Sequence, residues 1–121
     1  MALALTLSIF STSAFAGPCQ KELHEIAAAD QADYRREMME HPERPLDVQK
    51  AIAMNANDLK RRKRVGELVG EGCLVDAADF AAAALIFQHG EVPSQFYLAF
   101  VWSLEAVRLG LKSERGSVAL G

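Results

Sequence analysis

Apolar residues recur along this chain at helical spacing, and no stretch shows strand-like alternation bounded by hairpin turn signals. Leu23, Ile26, Ala27, Tyr34 and Met38 recur on one face with charged residues between them, which predicts a first helix over about 20–40. His41-Pro42-Glu43-Arg44-Pro45 ends it, because proline removes a backbone donor and biases the residue before it towards extended geometry. A second helical region follows over about 46–69, with Val48, Ile52, Leu59, Val65, Leu68 and Val69 as its apolar positions. Asn55, Asn57 and Asp58 cluster at its middle and predict a break there, with Asp58 capping a fresh helix from Leu59. Gly70-Glu71-Gly72 supplies the stop.

Asp76 reads as the cap of a third helix, with Asp79 in its first turn, where a carboxylate meets the positive end of the helix dipole. This helix runs to about His89 and stops at Gly90. Its body, Phe80 to Phe87, is apolar on every side, which predicts the buried centre of a bundle. After Val92-Pro93-Ser94, with Ser94 or a neighbour as cap, a fourth helix is expected over about 95–109, closed by Gly110. Phe96, Ala99, Phe100, Ser103, Leu104 and Val107 are its expected core face, widened by Leu98, Trp102, Ala106 and Leu109. The short turn between helices three and four makes them an antiparallel hairpin. The fold class that follows is all-α, a small helical bundle of four to five helices ending in an antiparallel helical hairpin. One domain is expected over 17–110, with 111–121 as a flexible tail.

The first sixteen residues set the context. An uncharged apolar run, Ala2 to Phe10, leads through Ser11-Thr12-Ser13 to Ala14-Phe15-Ala16, the pattern of a secretory signal peptide with small residues where a signal peptidase reads, although the usual positive charge before the run is missing. The run is shorter than the ~20 residues a bilayer span needs. A periplasmic or secreted protein with no transmembrane segment after cleavage is therefore expected. Cys19 and Cys73 both follow the cleavage point, and an oxidising compartment would let them pair as a disulfide.

Net charge is −3, so no global field argues for nucleic acid as a partner. Lys60-Arg61-Arg62-Lys63-Arg64 is the strongest local charge signal, but five consecutive helical residues are spread around the cylinder. The run reads as a solvated helix facing the acidic first helix or Glu67 and Glu71. Arg61, Arg64 and Trp102 are the candidate binding residues, with lipid headgroups or an anionic polymer as the functional alternative for the basic run.

His89 at the end of helix three is explained by capping of the last carbonyls. The functional reading makes it a base, which requires a carboxylate from another helix; Asp30 and Gln31 are the candidates. His24, His41 and His89 are far apart, and there is no HExxH, CxxC, GxSxG or phosphate-cradling glycine loop. No metal and no cofactor are expected.

Two stretches carry a resemblance. Glu22-Leu23-His24-Glu25-Ile26-Ala27-Ala28-Ala29-Asp30-Gln31 is followed by Arg35 and Arg36; Asp79-Phe80, Ala82-Ala83 and Leu85-Ile86-Phe87-Gln88-His89-Gly90 are followed by Phe96 to Ala106. Together they resemble a family of small exported bacterial proteins of unknown function, with an Asp-Gln helix and an alanine-rich Gln-His helix. The family's pattern continues to an Asp-Arg pair and a Gly-Thr-Gln-like ending that this sequence does not contain, and the spacing after Asp30-Gln31 is one residue longer here. The resemblance implies a polar cluster of Asp30, Gln31 and His89, and no reaction.

The leading expectation is a protein-interaction or scaffold module of the cell envelope, whose helical hairpin presents an apolar groove to an envelope protein partner. The alternative is a small hydrolase-like enzyme using His89 with Asp30, Gln31 and Gln88 beside them, and Arg35 or Arg36 as an anion clamp. It requires Asp30 and His89 to converge in one concave pocket.

Overall fold

A computed structural model describes residues 17–40, 42–45 and 47–111, and the expected signal segment and almost all of the expected tail lie outside these. The described residues form an all-α bundle of four helices: α1 (Pro18–Tyr34), α2 (Val48–Gly70), α3 (Ala77–Phe87) and α4 (Pro93–Arg108). No strand occurs among the described residues, and none of their helices is long and apolar enough to cross a membrane.

Pro18 opens α1 where its missing N–H costs nothing. The helix leaves its α register at Arg35–Met39, a π-helical turn in which the Glu40 N–H donates to the Arg35 carbonyl five residues back, at 3.1 Å. A π turn takes up one residue more than an α turn.

α2 runs unbroken through Asn55, Asn57 and Asp58, contrary to the expected break. Asp47 is its cap, accepting from the Gln49 N–H at 3.0 Å. Asn and Asp cost a helix interior only tenths of a kcal/mol each, and Asp58 turns towards α1 instead of capping. α2 and α4 both end in the same way, at a glycine of positive φ: Gly72 (+83°) and Gly110 (+97°). In each, the following N–H reaches back to a carbonyl of the last turn, Cys73 to Leu68 (3.1 Å) and Leu111 to Ala106 (2.9 Å).

Asp76 and Asp79 cap α3 reciprocally, each carboxylate accepting from the other's backbone N–H at 3.1 Å. The fully buried Asp79 also accepts from the Val75 N–H at 3.1 Å and meets His24 Nε2 at 2.7 Å, which pins the start of α3 to α1. α4 begins at Pro93, not at Ser94 or beyond. Val92 in the cap position has no acceptor, so the Gln95 side chain folds back to accept from the Glu91 N–H at 2.7 Å.

The core draws on all four helices: Leu23 and Ala27 of α1, Val65 and Leu68 of α2, Ala82, Ala83, Ile86 and Phe87 of α3, Ala99 of α4, and Cys73. Phe87 meets Trp102 edge-on, with centroids 4.8 Å apart. Cys19 and Cys73 are joined as a disulfide with Cα atoms 5.8 Å apart, tying the first turn of α1 to the loop after α2.

Two expected core faces are rotated. On α4, Phe96, Phe100, Leu104 and Val107 are exposed, and Ala99 and Ala106 are buried. The alanine-rich α3 favours this choice, because small residues facing small residues let two helices approach closely, which large rings would prevent. On α2, Val48, Ile52 and Leu59 are exposed while Arg62, from the run expected to be solvated, is buried. Tyr34 and Met38, expected in the core of the first helix, are also exposed.

The bridge closes a loop of 54 residues, for which restriction of the unfolded chain stabilises by about 4 kcal/mol. The Cys19→Ser/Cys73→Ser variant is expected to lose about 3–4 kcal/mol in a urea unfolding titration, with its helical circular dichroism at low urea unchanged. A loss below about 1 kcal/mol would contradict this account of the bridge.

Candidate functional site

The face of α2 that carries Val65 and Leu68 into the core continues, one helical repeat at a time, through Arg61, Asp58, Asn55, Met54 and Ala51. There it separates from α1, and the gap is a cavity of ≈360 Å³. α1 lines it with Asp30, Asp33 and Tyr34, the π turn with Met38, and the segment after α3 with His89 and Gly90.

Asp30 sits at the floor, 3 % exposed. Its Oδ1 is 3.2 Å from His89 Nδ1, across 59 residues of sequence, and 3.5 Å from Arg61 Nη1. Its Oδ2 accepts from Gln31 Nε2 at 3.2 Å. Arg61 is shared among three carboxylates: besides Asp30 it reaches Asp58 Oδ1 at 3.6 Å and donates through Nη2 to Asp33. Asp33 is held also by Arg36 at 2.6 Å. Arg62, 4 % exposed, donates through Nη1 to the His89 carbonyl and lies 3.3 Å from Glu91 Oε1 through Nη2. It thereby fixes the backbone that carries the imidazole.

These contacts set the charge states. The hydrogen bond that the His89 ring donates to the Asp30 carboxylate holds the His89 pKa above its ordinary 6.5, with the charges of Asp30 and Asp58 adding to it against the effect of burial. Burial pushes the Asp58 carboxyl above its ordinary 3.8, and the Asp30 charge adds to that. The hydrogen bond from Arg61 holds Asp33 below 3.8.

The sequence candidates divide. Asp30, Gln31, His89 and Arg61 come together, and the His89 ring engages Asp30 instead of capping carbonyls of α3. Gln88 is exposed away from them, Arg35 is exposed on the π turn, and Arg36 is spent on Asp33 and Glu37. Arg64 bridges to α1 as the acidic surroundings suggested, with Nε 2.6 Å from Glu22 and Nη1 2.8 Å from Glu67. Trp102 is a half-buried packing group against Phe87. Sequence reasoning missed Asp58, Asp33 and Arg62. The signal was available: residues 51, 55, 58, 62 and 65 share one helical face, so the face of Val65 necessarily carries Arg62 and Asp58.

Asp30, Asp58 and His89 each offer one metal-ligand atom, all within 4.8 Å of one another. Three residues from three elements make a set that sequence spacing does not reveal. The Arg61 guanidinium already lies against both carboxylates and would compete with an added cation. Among the described residues lining the cavity there is no serine, threonine, cysteine or lysine to act as a nucleophile.

Comparison of the chain with protein-family models, with curated proteins and with solved structures gives no match.

Two outcomes follow from this geometry. A group with a raised folded pKa stabilises below its unfolded value and loses that contribution as pH rises through the folded one, so His89 contributes fully below about 6.5 and less above it. Glu22, Asp33, Glu37 and Glu105, all lowered from 4.5 or 3.8, contribute above those values and lose the contribution on acidification, with Asp58 acting in the opposite sense. Thermal melts are therefore expected to peak between about pH 4.5 and 6.5. His89→Gln is expected to flatten the alkaline side alone; an unchanged alkaline slope would refute the pairing. Separately, Arg62→Met is expected to cost about 2–4 kcal/mol in urea titrations, because it strands the His89 carbonyl, whereas the half-exposed Arg64→Met costs little.

Proposed function

We propose that this chain is an exported binding module of the cell envelope that captures a positively charged group in the pocket around His89. The observation that carries the reading is the charge balance of the lining. Asp30, Asp33 and Asp58 face Arg61 and His89, so the lining residues sum to −1 with the imidazole charged and −2 with it neutral, with Arg36 pairing Asp33 from outside the lining. Arg61 is paired through its two terminal nitrogens with all three of those carboxylates, so its charge is already balanced within the pocket. Tyr34, Met38 and Met54 add apolar wall beside the charges. A ligand with an amine or guanidine head on an apolar body matches both, whether it is a small molecule or a side chain on an envelope protein. The apolar segment ending in Ala14-Phe15-Ala16 and the Cys19–Cys73 bridge support export to the periplasm or beyond.

The hydrolase-like alternative is favoured by one observation, the meeting of Asp30 with His89, which leaves Nε2 without a hydrogen-bond partner among the described residues. It is the weaker reading for two reasons. The hydrogen bond to Asp30 raises the His89 pKa and so favours the protonated ring, whereas a base acts from the neutral one. The arginine beside it also cannot stabilise a developing anion while three carboxylates hold it.

Calorimetric titration with phenethylamine and agmatine tests the proposal. Saturable binding is expected, tightening as pH rises through the His89 titration because the pocket gains a negative charge, and weakening at least about 10-fold in Asp58→Asn. Binding of inorganic phosphate with no binding of either amine would overturn the charge argument, and turnover of ester probes lost in His89→Gln would move the assignment to the hydrolase.

A further inference from the structure

The pocket leaves one large feature unused. α4 is apolar nearly all round, yet only the side carrying Ala99 and Ala106 is buried. The opposite arc presents Phe96, Tyr97, Phe100, Val101, Leu104 and Val107, between 36 and 66 % exposed. At a helical turn of 100° per residue these six fall within about 140° of arc, so they form one continuous stripe. Arg108 is the one charge on that arc among the described residues, and it is held by Glu105 at 2.6 and 2.7 Å.

We infer that the outer face of α4 is a homodimer interface, in which it packs antiparallel against α4 of a second copy of this chain. The inference is independent of the pocket reading. Two observations select a second copy as the occupant. The first is self-complementarity. A two-fold axis level with Trp102 places position i of one helix opposite position 204 − i of the other. Phe100 then faces Leu104 twice at the centre, Tyr97 faces Val107, and Phe96 faces Arg108. The apolar residues of the central and flanking pairs meet apolar residues, Val101 at the edge of the arc falls opposite Ser103, and the outermost pair sets a guanidinium over an aromatic face, a favourable arrangement. Such a patch, alike on both partners, is what an isologous contact requires.

The second observation is area. Side chains of this size expose roughly 150–250 Å² when fully open, so the six leave roughly 600 Å² on each copy, at the top of what a monomer ordinarily exposes. Two such faces bury at most roughly 1,200 Å², which reaches the lower bound of stable specific interfaces. A contact of that size belongs to the weaker, reversible class of dimers.

Sedimentation equilibrium of the purified chain, from about 1 to about 100 µM, tests this. Twice the sequence mass is expected at the upper concentrations. Phe100→Glu and Leu104→Glu are each expected to raise the dissociation constant more than about 100-fold, since each sets a carboxylate against an apolar partner face. Both side chains are exposed, so the helical circular dichroism and the melting temperature of the monomer should persist. Val75→Glu, at an exposed apolar position outside α4, is the control and should leave the dimer intact. A monomer throughout the concentration range overturns the inference. So does a dimer that tolerates both glutamates, and so does a monomer that takes up a different protein through Phe100.

Discussion

A carboxylate taken out of water must be compensated where it lies, and Asp30 imposes that demand on the whole molecule. Leaving it unpaired at 3 % exposure would cost several kcal/mol, comparable with the entire stability of a domain of this size. Its compensation comes from three places: Gln31 on its own helix, Arg61 on α2, and His89 after α3. Satisfying one charge therefore fixes how three elements sit. Arg61 carries the demand outward to Asp58 and Asp33, and its neighbour Arg62 secures the His89 backbone from behind. The pocket and the packing at this end are one arrangement.

α2 divides the molecule along its length. Its C-terminal half sends Val65 and Leu68 into the core beside Leu23, Ile86 and the bridged Cys73. Its N-terminal half sends Ala51, Met54, Asn55 and Asp58 to the cavity. The disulfide holds the closed end, and Asp30 lies eleven residues further along α1, about 16 Å away by helical rise. Apolar burial is thus concentrated where the bridge is, and the open end relies on charge pairing. This makes the open end the part whose stability depends most on pH.

Much of the fold was legible in the sequence, and the failures share a cause. Helix positions followed from periodicity, and their ends from Asp76, Gly72, Gly110 and the prolines, because those signals are local. The Cys19–Cys73 pairing, across 54 residues, was open to the sequence only as one that an oxidising compartment would allow. What local signals cannot supply is which face of an apolar helix is buried. α4 has two candidate faces, and the choice of Ala99 and Ala106 over Phe96 and Phe100 is made by the alanines of α3, about twenty residues earlier. Asp58 read as a cap because its residue type favours one, and its true partner, Arg61, was hidden inside a run of five basic residues. The meeting of Asp30 with His89 was legible as a requirement of chemistry, a base needing a carboxylate from another helix. The arginine beside them was not Arg35 or Arg36, because the π turn carries Arg35 away and Asp33 and Glu37 take Arg36.

The central claim is that the buried Asp30 carboxylate and the His89 imidazolium stabilise each other. Titration of the His89 ring by NMR, in the native chain and in Asp30→Asn, tests it most directly. A His89 pKa above 6.5 is expected in the native protein, with a fall towards or below 6.5 once the carboxylate becomes an amide. A native His89 that titrates at or below 6.5, or one indifferent to the Asn substitution, would contradict it.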